Sequence, residues 1–230
     1  MSNSIAQAVE ERLVCVTAGP VRLDGNLTLP EGSPAVVLFA HGSGSSRHSS
    51  RNRHVARLLN EVKLATLLID LLTLDEEVID ARTAQLRFDI ELLAERLVGA
   101  TDWLTQFPDT QHLRIGYFGA STGAAAALVA AAVRSGAVGA VVSRGGRPDL
   151  AGAALVHVQA PTLLIVGEDD VQVIELNRAA LAQLRCEKQL VIVPGATHLF
   201  EEPGALDVVA QLACDWFERH LIAVVRATAT

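Results

Sequence analysis

Six short apolar runs, separated by longer amphipathic stretches, constrain this fold more than any other feature of the chain. They are AVVLFA (35–40), LATLLID (64–70), LRIGYFG (113–119), AVGAVVS (137–143), PTLLIVG (161–167) and QLVIVPG (189–195). A strand with one wet face alternates apolar and polar residues. A strand that is apolar throughout has both faces covered. The stretches between the runs supply the cover. Residues 52–62, 82–106, 122–134, 172–185 and 204–221 read as helices, and in 82–106 Leu86, Ile90, Leu93, Leu97 and Ala100 fall on one stripe. Two earlier strands, 12–18 and 20–29, precede the series, and Asp24-Gly25 predicts a tight turn or kink within the second. Buried strands alternating with helices predict an α/β fold: a mostly parallel, twisted sheet with helices on both faces. The whole of 1–230 reads as one domain, with loose ends at 1–10 and 222–230.

Composition narrows the function classes. The 230 residues are 50% apolar and 20% charged, enough to bury a core without staples. The net charge of −7 disfavours coating a phosphate backbone, and 4% aromatics offer few stacking platforms, so no nucleic-acid partner is expected. The three cysteines, Cys15, Cys186 and Cys214, are far apart and fit a reducing compartment. No leader is legible at the N-terminus, and the longest apolar run, Ala124–Val133, is too short to span a bilayer. A cytoplasmic protein without a membrane partner is expected. Oligomeric state is not readable from the sequence.

In parallel sheets, ligands bind beyond the carboxyl ends of the strands. The reactive residues of this chain cluster there: His41-Gly42, Asp70, Ser121, Ser143-Arg144, Gly167–Asp170 and Gly195–His198. Gly119-Ala120-Ser121-Thr122-Gly123 is G-x-S-x-G between a predicted strand and a predicted helix, the context in which that motif presents a nucleophilic serine. A serine hydroxyl needs a base. His198, in the loop after the last strand, is the candidate. The base needs a carboxylate to fix its tautomer. Gly167-Glu168-Asp169-Asp170 offers three, of which the spacing to Val173 favours Asp170, with Asp169 and then Asp149 as alternatives. The order Ser121, Asp170, His198 is that of α/β-hydrolases.

Acyl transfer also needs donors for an oxyanion. The N–H of Thr122 is one. The loop His41-Gly42-Ser43-Gly44-Ser45-Ser46 supplies the other, Ser43 first and Gly44 next, and Gly42 and Gly44 are expected at the substrate. His41 reads as a brace for this loop. With His48 and His54 it makes no familiar metal spacing, and neither metal nor cofactor is expected. Arg47, Arg51 and Arg53 on one loop, and Arg144 and Arg147 on another, crowd the active edge of an acidic chain. Two readings stand side by side. Arg47, Arg51 and Arg144 bind an anionic substrate, or Arg144 pairs with Asp149 or Asp70 and holds loops together.

The segments FAHGSGSSRHSSRNR, LATLLIDLLT, GYFGASTGAAAAL, VVSRGGRPDLA, PTLLIVGEDD and GATHLFEEPGAL, in this order, resemble the α/β-hydrolase superfamily, and within it the dienelactone hydrolase-like proteins. The resemblance covers most of 20–217. It implies an α/β-hydrolase fold and a serine hydrolase acting on a small ester or lactone, with Ser121, Asp170 and His198 at the triad positions. Dienelactone hydrolases proper carry a cysteine nucleophile where this chain has Ser121, which points away from dienelactone itself. Glu168 stands where a second glycine is expected. Residues 144–160 are too few for a cap domain, so an open or shallow site for small substrates is predicted.

Three rivals remain at this level. HGSGSSR after a strand, with Asp70 ending the next, begins like a dinucleotide motif, but Arg47 occupies the third glycine position. A catalytically silent binding protein would keep the fold without the chemistry. Acyl transfer or perhydrolysis would use the same triad and differ only in the acceptor.

Overall fold

The structure is a computed structural model that describes residues 10–222. The predicted loose ends lie almost wholly outside the described residues. One sheet of eight strands organises the chain: β1 (Glu11–Ala18), β2 (Val21–Thr28), β3 (Ala35–Ala40), β4 (Ala65–Ile69), β5 (Arg114–Ala120), β6 (Val138–Arg144), β7 (Thr162–Gly167) and β8 (Lys188–Val193). Their spatial order is β1-β2-β4-β3-β5-β6-β7-β8. The β1/β2 and β2/β4 pairs are antiparallel, and every later pair is parallel.

Five of the six apolar runs are buried on both faces, as read; the sixth, QLVIVPG, lies in the edge strand β8 and is only partly buried, because among the described residues no further strand or helix layer closes over that edge. In β3, Val36, Leu38 and Ala40 join one core with α3 (Ile90–Gln106) and α4 (Thr122–Val133). Ala35, Val37 and Phe39 join a second core with α1 (Ser50–Glu61) and α6 (Ala205–Phe217). The alternating side-chain direction of a strand distributes one continuous run between two layers. The fold is the expected one, a mostly parallel sheet between helices. No described helix is long and apolar enough to cross a membrane.

Two local expectations are corrected. Asp24-Gly25 makes no turn: both residues stay in register inside β2, paired with Cys15 and Val14. Gly25 serves close packing instead, because a Cβ there would lie 3.1 Å from Val14 Cγ2 and 3.2 Å from Leu67 Cδ1.

The stretch 82–106 is not one helix. A separate helix, α2 (Leu74–Thr83), ends at Ala84, whose φ is 52°. A short 3-10 turn over Leu86–Phe88 follows, and α3 starts only after Asp89, whose carboxylate accepts from Leu92 N–H at 3.0 Å. The stripe Leu86–Ala100 runs across that break, so periodicity alone joined two elements.

Candidate active site

β5 delivers Ser121 to the carboxyl edge of the sheet, and α4 starts at the next residue. Ser121 has φ 50° and ψ −121°, a conformation that L-residues adopt only at a cost in energy. Its neighbours are small because the chain doubles back on itself. A Cβ at Gly119 would stand 2.5 Å from Ala124 Cα, and one at Gly123 would stand 2.4 Å from the carbonyl oxygens of Ala40 and His41. The turn is pinned by Ser121 N–H donating to Arg144 O at 3.3 Å and Arg147 N–H donating to Ser121 O at 3.1 Å. Ser121 is half-buried.

Asp170 and His198 come together from different loops. Asp170 ends the β7 loop, immediately before α5 (Val171–Gln183), and its Oδ2 lies 2.6 Å from His198 Nδ1. The Asp170 side chain is 15% exposed and that of His198 40%, so the pair is sheltered at the carboxylate and open at the ring. With Nδ1 held, Nε2 is the nitrogen left for proton transfer. Among the described residues no hydrogen bond joins His198 to Ser121. The ring lies against Gly145, the residue after Arg144, whose carbonyl accepts the Ser121 N–H. A Cβ at Gly145, two residues before Arg147, would lie 3.6 Å from His198 Cε1. Unliganded catalytic hydrogen bonds commonly tighten only when substrate arrives.

Among the described residues, neither of the other two candidate carboxylates is hydrogen-bonded to His198. Asp149 accepts two bonds from Arg147, at 2.9 and 2.8 Å. Asp169 is exposed, and its N–H donates to Ala196 O at 3.0 Å. Glu168, the unexpected residue of this loop, accepts from Gly195 N–H at 2.8 Å and so ties the Asp170 loop to the His198 loop.

The loop after β3 closes the site from the other side. Ser45 N–H donates to Gly42 O at 3.2 Å, and Gly44 within that turn has φ 68°, a value that favours glycine. His41 braces it as read. Leu71 N–H donates to His41 Nε2 at 3.1 Å, so the proton sits on Nδ1, which faces Gly42 O at 2.9 Å. Burial holds His41 below its ordinary pKa despite that carbonyl and Asp70, consistent with a neutral ring. Gly42 packs against Ser121: a Cβ there would stand 3.1 Å from Ser121 Cβ.

Ser43 and Thr122 N–H donate to no backbone acceptor among the described residues. Both line a cavity of about 230 Å³, together with His41, Gly42, Gly44, Leu71 and Leu72. Its far wall was missed from sequence. Glu77 and Asp80 from α2, Arg87 from the 3-10 turn and Leu93 from α3 complete it. The site is therefore walled rather than fully open, by the 74–88 segment and not by the 144–160 insertion. The signal was present in Thr73-Leu74-Asp75-Glu76. It forms a capping box, with Glu76 N–H donating to Thr73 Oγ1 and Thr73 N–H donating to the Glu76 carboxylate.

The arginines divide. Arg47, expected at the substrate, turns inward instead. Its Nη1 is bound to Asp70 Oδ2, its backbone N–H donates to Asp70 Oδ1 at 2.7 Å, and its Nε donates to Asn26 Oδ1 at 3.0 Å. It braces the loop to the ends of β4 and β2. Arg144 pairs with neither Asp149 nor Asp70, contrary to the bracing alternative. Arg51 Nη1 donates to Glu201 Oε1 at 3.0 Å. His54 Nε2 meets Asp207 Oδ1 at 2.7 Å between α1 and α6, away from His41. Among the described residues no group of three or more His, Cys, Asp or Glu side chains is placed to hold a metal ion.

Known proteins agree with this architecture. The crystal structure of a dienelactone hydrolase from Anabaena variabilis is 66% identical, with a TM-score of 0.92 over 93% of this chain and 99% of that one. Est1E from Butyrivibrio proteoclasticus, 16% identical with a TM-score of 0.75 over 90% of this chain and 98% of its own, shares the fold. Curated relatives from two Mycobacterium tuberculosis strains are 62% identical over 208 residues and carry the name "Putative phosphoribosyl transferase". That match covers 90% of this chain and 46% of theirs, so the chain spans less than half the length of those relatives. Residues 23–224 match the dienelactone hydrolase family, and the chain belongs to it.

Proposed function

We propose that the protein is a serine hydrolase that cleaves a small carboxylic ester or lactone through an acyl-enzyme on Ser121. The observation that carries this reading is the strained Ser121 turn, whose next residue Thr122 lines a cavity with Ser43, together with the hydrogen bond between His198 and Asp170 on the neighbouring strand-end loops. His198 Nε2 takes the hydroxyl proton as Ser121 Oγ attacks the carbonyl. Asp170 holds Nδ1–H and stabilises the imidazolium that forms. The N–H groups of Ser43 and Thr122 receive the oxyanion, with the α4 N-terminus adding its positive end. The imidazolium returns its proton to the leaving alkoxide. Water, activated by the same histidine, then releases the acid. Every step is met by groups of this chain.

The phosphoribosyl transferase name of the mycobacterial relatives belongs to proteins of which this chain matches 46%, and we assign to the matched part the hydrolase chemistry. The test is turnover of small esters and lactones by wild type and Ser121→Ala. The variant should lose kcat on the order of 10⁶-fold. Equal turnover by both would end the reading.

A further inference from the structure

The charges that line the cavity shared by Ser43 and Thr122 do not cancel. Asp80 and Arg87 satisfy each other: Arg87 Nε donates to Asp80 Oδ2 at 2.6 Å, and the Arg87 backbone N–H donates to Asp80 Oδ1 at 3.1 Å. Burial favours the neutral form of His41. Glu77 is the charge left over. Among the described residues its carboxylate makes no hydrogen bond and enters no ion pair. The helix does not require it. Glu76 serves α2 itself, closing the capping box on Thr73 and meeting Arg96 Nη2 at 2.6 Å. Asp75 is exposed and adds an acid at the positive end of the helix. Glu77 is partly buried and belongs to the cavity wall.

The surroundings make that carboxylate short of a donor. Burial first, then Asp70 and Asp80, hold its pKa above the ordinary value, while Arg47 pulls the other way. Arg47 is engaged by Asp70 and Asn26 instead. A carboxylate partly removed from water gains from any hydrogen-bond donor that a ligand brings to it. A ligand carboxylate would gain nothing there. Of the arginines expected to meet an anionic substrate, Arg47, Arg51 and Arg144, none lines the cavity, and Arg87, which does, is bound to Asp80. Leu71, Leu72 and Leu93 supply apolar wall for a short chain. A molecule whose carbonyl meets the Ser43 and Thr122 N–H groups thus shares one cavity with Glu77.

We propose that Glu77 is a specificity-determining residue of this cavity, and that its carboxylate accepts a hydrogen bond from an ammonium or hydroxyl group carried by the substrate. The proposal rests on the hydrolase reading and names the substrate class: small esters or lactones with a donor group on a short chain, in place of the anionic ones expected from the arginines. Ammonium and hydroxyl share the chemistry of donation to a carboxylate.

Two measurements test this and separate it from the hydrolase reading. The first compares kcat/KM for methyl esters of nearly equal length: methyl heptanoate, methyl 6-hydroxyhexanoate, methyl 6-aminohexanoate and monomethyl adipate. Hexyl, 5-hydroxypentyl and 5-aminopentyl acetate place the same ends on the alcohol. Wild type should favour a donor-bearing ester over its apolar counterpart and should handle monomethyl adipate worst. Glu77→Leu removes the acceptor and should lower the donor-to-apolar ratio at least about tenfold, mostly through KM, while monomethyl adipate gains. Glu77→Gln removes the charge and keeps an acceptor, so an ammonium preference falls with it and a hydroxyl preference largely survives. Glu77 makes no side-chain bond among the described residues, so neither substitution takes a bond from the fold. The second measurement is calorimetric titration of the hydroxyl and ammonium esters of both series into Ser121→Ala protein, with and without Glu77→Leu. Binding should weaken at least about tenfold with Glu77→Leu. Turnover whose ratios ignore Glu77→Leu, or a wild type that favours monomethyl adipate, overturns the proposal and leaves the hydrolase standing. Absence of both binding and turnover for every donor-bearing ester overturns it as well. Glu77-dependent binding without turnover of any ester keeps the subsite and removes the hydrolase.

Discussion

Two histidines stand at the two flanks of Ser121, and they differ in which nitrogens are used. His41 is buried, and both of its ring nitrogens are engaged with backbone, one accepting from Leu71 and one facing the Gly42 carbonyl. His198 is partly exposed, and only Nδ1 is held, by Asp170. The first has no nitrogen left for a substrate. The second has one, on a ring that is 40% exposed. Residue type therefore says little about a histidine near the Ser121 turn; the count of free nitrogens separates a brace from a candidate base.

The largest effect that tests this contrast is on rate. His198→Ala should lower kcat on the order of 10⁶-fold while leaving the fold intact, because the ring sits in a loop and contributes no core. Asp170→Asn keeps the shape but offers Nδ1 the wrong partner, and should cost about 10⁴-fold. Steady-state kinetics on a neutral ester checks both. A His198→Ala enzyme with near-normal kcat would move the base role elsewhere and erase the distinction.

His41 should answer in stability before it answers in rate. His41→Leu removes the acceptor of the Leu71 N–H, at a cost of about 1–3 kcal/mol in a denaturant melt. A loop shifted by an ångström would lower kcat by up to about 10²-fold. The pH dependence has a definite sign. Burial holds His41 below the ordinary value of 6.5. The unfolded chain therefore takes up a proton near 6.5 that the folded chain refuses, so stability falls as pH drops through that value and levels off below the folded pKa. Burial lowers His220 in the same direction, so His41→Leu should flatten this acid slope without removing it. Chemical melts between pH 5 and 8 measure it, and an unchanged slope in the variant would show that His41 is not buried neutral.

The smallest effect is on the alignment of the Asp170 and His198 loops. Glu168→Ala removes the bond to Gly195 N–H and should lower kcat by several-fold, with KM little changed, since the bond is exposed and ties loops rather than substrate. A loss as large as that of Asp170→Asn would give Glu168 a direct part.

Much of this was legible in the sequence because burial on both sheet faces writes itself as unbroken apolar runs. The Ser121 turn was legible because small residues are required on either side of it. The pairing of Asp170 with His198 followed from strand-end positions. What was missed has a different energetic basis. α2 leaves Leu74, Val78 and Ile79 exposed at 71%, 58% and 54%, and the only residue it buries is Asp80. It is held by its capping box and by the Arg87–Asp80 and Arg96–Glu76 pairs, so an apolar stripe was the wrong signal for it. The fate of each arginine was also hidden. Whether Arg47 or Arg144 meets Asp70 depends on strand order, which places β4 next to β3, whose loop carries Arg47, and three positions away from β6, which ends on Arg144.

The central claim is that Ser121 is an activated nucleophile. Intact-mass analysis of wild type and Ser121→Ala after exposure to a fluorophosphonate tests it without knowledge of the substrate. The account predicts one adduct on wild type and none on Ser121→Ala. A folded wild type that stays unmodified, or a variant modified as readily as wild type, would contradict it.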